Sequence, residues 1–334
     1  MDVQNKIYDL RERRPKVLLV GNGLIKNTGL SWDDLIKRTA RAEVDLSVYQ
    51  KENETGSSKT RFIVPYGPLA MAISDFEDDK RHQKYCEVLN QLNYTEIPLL
   101  QELVRLPFDA ILTTNYTYEV ENVLHDGFSA LNNCTKRKKS ESFYRGKGRD
   151  TYLLQRYNKV GPEAPEIWHI HGEASRKSSI VLTHDEYARL ITAVLTYMRQ
   201  QKNHYEQETE QFVFHSWIDY ILMADVFILG LGLDYSEFDL WWLLGRRKRE
   251  RAECGKVLFY EPDAEACRGK HAALKELGVR TESCGFHEDQ IKGYKNTDAF
   301  YQAFYRAASA DIKNRLLRQA GPLTALQREK EGIS

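Results

Sequence analysis

The chain has 334 residues, 42% of them hydrophobic, with 48 basic and 48 acidic side chains and a formal net charge of zero. That length and apolar content suffice for one large domain or two modest ones with a sizeable core, and the neutral balance gives no global attraction to nucleic acid or to a membrane surface. No apolar run is long enough to cross a bilayer, and the polar first fifteen residues do not read as a secretory signal. The five cysteines, Cys86, Cys134, Cys254, Cys267 and Cys284, are odd in number and contain no C-x-x-C pair. They read as reduced thiols of a cytosolic protein rather than as a zinc ribbon or a disulfide framework.

Residues 16–20, KVLLV, form the first expected strand, short, apolar and buried, and Gly21-Asn22-Gly23 follows at once. A glycine pair at a strand end lets backbone N–H groups approach a pyrophosphate, but the third glycine of the dehydrogenase fingerprint is missing, so a tight turn without a ligand is the alternative. A helix is expected over 32–40, a polar stretch with helical patches over 43–93, and a further helix over 97–106. The strand 108–113, FDAILT, runs into Thr113-Thr114-Asn115-Tyr116, polar residues where open α/β sheets place ligands, or else an Asn capping the helix over 118–125. The basic stretch 132–150 reads as an exposed loop with a solvated surface rather than a nucleic-acid contact.

The next strand, 166–171 (EIWHIH), would direct His169 and His171 to one side by alternation, with Gly172 leaving room for a ligand. A long helical run over 185–220 leads to a strand over 224–230 that closes on Gly230-Leu231-Gly232-Leu233-Asp234. A helix over 236–249 with the Trp241-Trp242 pair, a strand over 256–261, a helix over 264–277 and a closing amphipathic helix over 299–317 complete the chain. Phe300, Phe304, Ala307 and Ile312 mark the apolar face of that last helix. Strand then helix, repeated, predicts an α/β class with a Rossmann-like parallel sheet. The domain expectation is 1–300 for the main domain, with helical insertions near 43–93 and 185–220, and 301–334 for a C-terminal helix and tail.

In this order and spacing, GNG, ILTTNYT, HIHG, IVLTHDEY (residues 180–187) and ILGLGLDYSEFDLWWLL (residues 228–244) resemble the sirtuin superfamily. The likeness is to the sirtuin-like NAD-hydrolase domains of bacterial antiphage defence rather than to histone-type deacylases. It implies NAD as substrate, with Asn115 and His171 in the catalytic positions. It implies cofactor binding by Gly21, Asn22 and Gly23 at the phosphate turn, by Ser31 and Trp32 in a mobile loop, by Thr114, and by Gly230, Gly232 and Leu233 at a second turn. Glu261, ending a late strand, would meet a ribose hydroxyl. His169 is given a packing or supporting role. The sequence departs from the family at Thr117, where Asp is usual, in lacking the cofactor-loop arginine, and in lacking the four-cysteine zinc module, so no zinc is expected.

The implied activity is NAD glycohydrolysis to nicotinamide and ADP-ribose by a cytoplasmic effector of antiphage defence. The expected partners are further copies of the chain or a regulatory, trigger-sensing protein, with no membrane and no nucleic acid. The alternatives are an NAD-dependent protein deacylase and a non-catalytic sensor of NAD or ADP-ribose.

Overall fold

The computed structural model describes residues 6–27, 32–52, 60–92, 94–126, 141–144, 152–201, 211–250 and 255–319. The short apolar runs of the sequence become strands buried on both faces: β1 (Lys16–Val20), β2 (Ala110–Thr113), and later β5 (Glu166–His169), β6 (Asp225–Leu229) and β7 (Val257–Tyr260). Three more strands, β3 (Glu141–Tyr144), β4 (Arg156–Lys159) and β8 (Val279–Glu282), complete one eight-stranded sheet in the order β8-β7-β6-β1-β2-β5-β4-β3. The strands from β8 to β5 are parallel, and β4 and β3 join antiparallel at one edge.

Taken alone in chain order, the parallel strands follow the 3-2-1-4-5-6 arrangement of doubly wound dinucleotide-binding sheets. Ligands bind such sheets beyond the carboxyl ends of the strands, where the order reverses. Here that point lies between β1 and β6. Val20 is level with both Leu229 and Thr113, and Thr113 with His169. The segments that leave these four strands therefore start on one line.

Alternation along the strands feeds two cores. Val17, Leu19, Val226 and Ile228 pack with the helices His184–Gln200 (α6), Trp217–Met223 (α7) and Phe238–Glu250 (α8). Leu18, Val20, Phe227 and Leu229 pack with Pro98–Val104 (α4), Glu119–Asp126 (α5) and the closing helix Thr297–Gln319 (α10), which follows Arg268–Glu276 (α9) in the chain. The buried register of α10 is Phe300, Phe304, Ala308, Ile312 and Leu316, a four-residue spacing in which Ala308 replaces the expected Ala307. A third cluster joins Trp32–Thr39 (α1), Tyr66–Ile73 (α2) and Asp78–Leu89 (α3) to Tyr116, Ala174, Ile180 and Leu182, which seats a helical layer over the carboxyl ends of β2 and β5.

Two expectations are corrected. The run over 185–220 is not one helix: after α6 comes the strand Gln211–Phe214, paired antiparallel with Lys6–Asp9, and then α7. Within the expected loop 132–150, residues 141–144 are the edge strand β3, and the others lie outside the described residues. Among the described residues no helix is long and apolar enough to cross a membrane.

Candidate active site

At the switch point the turns after β1 and β6 cross in close contact. The Gly21 N–H donates to Leu229 O at 3.2 Å and the Gly23 N–H to Gly230 O at 2.8 Å. A Cβ on Gly21 would lie 2.6 Å from Gly230 O, and one on Gly23 would lie 2.5 Å from the Tyr305 hydroxyl. The glycines are thus required by the crossing itself. Gly230 turns the chain at φ 70°, and the following Leu233 is held at φ 45°, a left-handed conformation that a leucine rarely adopts. Strain of this kind collects where a fold holds a ligand-facing loop in place.

A cavity of about 450 Å³ opens over this crossing, a size in the range of small-molecule sites. Its floor comes from Asn22, Gly23, Gly230, Gly232 and Leu233, its walls from Thr114, Tyr116, His171, Glu237 and Glu261, and its outer parts from Tyr66 and Gly67 of α2 and Tyr301 and Tyr305 of α10. Most of the sequence-derived positions therefore converge on one space. Gly21 lies beneath its floor in the crossing, and Asn115 stands behind its wall, between the lining residues Thr114 and Tyr116. Ser31 is outside the described residues, and Trp32 is described only as the first residue of α1.

His171 follows β5 and is 2% exposed. Its Nε2 lies 3.0 Å from Asp239 Oδ2, and its Nδ1 lies 3.6 Å from Glu237 Oε2. Asp239 lies in the first turn of α8 and Glu237 directly precedes that helix, where the helix dipole favours negative charge. Burial alone would lower the imidazole pKa, but Asp239 first and Glu237 second outweigh it, and the net shift is upward. For Glu237 burial dominates and pushes the carboxyl up to about 7. Tyr187 closes the arrangement: its ring meets His171 edge-on at 5.3 Å, and its hydroxyl donates to Glu237 Oε2 at 3.3 Å.

The segment 180–187 holds Tyr187 there. Val181 N–H donates to His171 O at 2.9 Å, the Tyr116 hydroxyl donates to Val181 O at 2.8 Å, and Glu186 accepts from the N–H groups of Leu182 and Thr183 at 2.7 Å each. Gly172 does not leave room for a ligand: at φ 93°, its missing Cβ would sit 2.0 Å from Ser179 O, so the space is filled by the returning chain.

The histidine pair divides between two networks because β5 ends at His169 and alternation stops there. His169 Nδ1 lies 2.8 Å from Asn115 O, and its Nε2 lies 3.0 Å from Glu121 Oε1. It thus fixes the backbone of Asn115. The Asn115 amide donates to Glu119 Oε1 at 2.5 Å and the Thr117 hydroxyl to Glu119 Oε2 at 2.6 Å. Burial raises the Glu119 carboxyl to about 7, against the pull of these donors. Glu119 therefore receives the side chain of Thr117, the position at which the sequence differs from the sirtuin-like pattern it resembles.

Glu261 ends the β7 segment with both oxygens engaged, by Lys270 Nζ at 2.5 Å and by His271 Nε2 at 2.7 Å. Cys267 stands in the same group, and the three metal-capable atoms of Glu261, Cys267 and His271 lie within 4.8 Å of one another. The Lys270 ammonium already supplies the positive charge that a cation would bring to Glu261.

Sequence reasoning singled out neither Glu237 nor Asp239, nor the tyrosine walls. The available signal was the acids of SEFD at a helix start directly beyond a parallel strand, where sheet geometry and helix dipole point the same way. Residues 109–252 match the family model of a SIR2-like domain, a span that contains Asn115, His171, the glycine turn after β6 and both α8 acids. No curated protein matches the chain. The match supports a sirtuin-like domain over that segment, and domains of this kind are usually NAD-dependent enzymes.

Proposed function

We propose that this chain hydrolyses NAD at its nicotinamide–ribose bond, releasing nicotinamide and ADP-ribose. The observation that carries the reading is the His171 imidazole, clamped between Asp239 and Glu237 in the wall of a cavity whose floor is the glycine crossing at the switch point. A dinucleotide would lie with its pyrophosphate over the turns at Asn22–Gly23 and Gly230–Gly232, with Glu261 toward a ribose hydroxyl and the nicotinamide ribose toward His171, Thr114 and Asn115. Loss of nicotinamide builds positive charge on the ribose carbon. The acids beside His171 put negative charge where that cation forms.

The four-cysteine zinc module is absent from the sequence, so the activity is expected to be zinc-independent. Purified protein incubated with NAD in a chelator should release nicotinamide and ADP-ribose in equal amounts, measured by chromatography. No release, or release that depends on an acyl-lysine peptide, would overturn the reading.

An unrestrained hydrolase would drain the NAD of its own cytoplasm, so we place the activity in antiphage defence under control by assembly or by a trigger-sensing partner. The exposed Tyr235 ring, stacked on Trp241 at 5.4 Å beside the cavity residue Asp234, supplies an aromatic contact of the kind that anchors interfaces. Light scattering and NAD turnover followed together over a protein concentration series should change together. A strictly monomeric chain that is fully active alone would remove the assembly proposal.

A further inference from the structure

We propose that Glu237, and not His171, is the general base that takes the proton from the attacking water, with His171 as its charged positioning partner. The inference rests on the glycohydrolase reading above and assigns a role inside that same site.

The geometry separates the two groups. Asp239 is fully buried, and His171 is its one ion-pair partner among the described residues. Its second oxygen, Oδ1, is buried with no hydrogen-bond donor among those residues. An unpaired buried carboxylate is costly, and the proton that relieves it sits on the imidazole. One proton, on Nε2, serves Asp239, and the other nitrogen, Nδ1, faces Glu237 Oε2 at 3.6 Å, so a second proton held there by that carboxylate leaves no imidazole lone pair for water. Glu237 is placed differently. Both His171 and Glu237 line the cavity, but the one hydrogen bond of Glu237 among the described residues, from the Tyr187 hydroxyl at 3.3 Å, and its ion-pair contact with His171 Nδ1 at 3.6 Å both fall on Oε2. Oε1 is left to accept.

The reaction asks for a base and no acid. The C1′–N bond breaks with its electron pair passing to the pyridinium nitrogen, so nicotinamide departs neutral and needs no proton. Water forms the new C1′–O bond and gives up one proton, which passes to Glu237 and then to solvent. With His171 cationic and Asp239 and Glu237 anionic, the group carries one net negative charge while the ribose cation develops, and becomes neutral once Glu237 has taken the proton.

The groups facing Glu237 are His171 beyond β5, Tyr187 from α6, Asp234 and Asp239 on its own segment, and Tyr116 beyond β2. Burial and the two aspartates raise its carboxyl, while His171 and Tyr187 lower it, and the balance near 7 suits a base working at neutral pH.

The test uses the full chain, with nicotinamide release measured over pH 5–9 and NAD affinity measured separately by calorimetry. Wild type should lose kcat/KM as pH falls through about 7, where Glu237 takes up its proton. Glu237→Gln should bind NAD normally, lose about a hundredfold to ten-thousandfold in kcat, and lose the acidic limb. In Glu237→Ala, added formate should restore part of the rate by substituting for the missing carboxylate, an effect that a structural role would not produce. If wild type turns over and Glu237→Gln keeps its kcat and acidic limb, the Glu237 assignment falls and the hydrolase reading stands. If wild type binds NAD but releases no nicotinamide, both fall together.

Discussion

Replacing His171 by alanine is expected to cut NAD cleavage by on the order of a thousandfold and to destabilise the protein at the same time. The two effects have separate causes. Cleavage falls because the cavity wall loses the group that orients Glu237 from 3.6 Å and balances its charge. Stability falls because Asp239 is left fully buried without its partner, and breaking a buried pair from one side costs about 3–5 kcal/mol. The causes can be told apart by adding Asp239→Asn. The double variant His171→Ala, Asp239→Asn removes the stranded charge, so thermal denaturation should recover much of the lost melting temperature while nicotinamide release stays at the level of the single variant. A double variant that recovers both would make His171 a structural residue. A single variant that folds and turns over like wild type would remove it from the site.

The same pair of acids shows what the sequence could and could not convey. The central strands were legible because each is enclosed on two faces, which demands continuous apolar runs such as KVLLV and DVFIL. The edge strands were not. Val279–Glu282 has one fully buried residue, and Lys6–Asp9 and Gln211–Phe214 make a separate two-stranded pair whose polar members resemble loop or helix. The glycine motifs located the switch point, yet the immediate reason for Gly21 and Gly23 is contact between two turns, which no local pattern reveals. Period-two reasoning placed His169 and His171 together, and it failed because the strand stops between them. Glu237 and Asp239 were hidden for a further reason: acids in or just before the first turn of a helix are ordinary, and only the fold brings the end of β5 against the start of α8. Tyr301 and Tyr305 were hidden in the same way, as members of a helix whose apolar face accounts for its spacing.

Asn115→Ala is expected to lower kcat by at least about a hundredfold while changing NAD affinity little, the pattern of a group that acts in the transition state. The structure gives that expectation a specific form. The Asn115 Nδ2 is committed to Glu119 at 2.5 Å, and the backbone carbonyl lies 2.8 Å from His169 Nδ1. The side chain is thus held by both ends of its residue, and its Oδ1 has no donor among the described residues. Standing behind the cavity wall, the fixed residue sets the position of the lining residues Thr114 and Tyr116 on either side of it, which matters most when the ribose carbon becomes cationic. Glu119 in this scheme orients rather than reacts, so Glu119→Gln, which keeps an acceptor for the amide, should retain more activity than Asn115→Ala. Asn115→Asp should be the most damaging of the three, because it sets a second carboxylate where the amide now donates to a buried acid. Its loss should ease at lower pH, as one of the two carboxyls is protonated, and a pH series of kcat with melting temperatures alongside reads this directly. Equal losses in NAD affinity and kcat for Asn115→Ala would instead mark the residue as an ordinary binding contact.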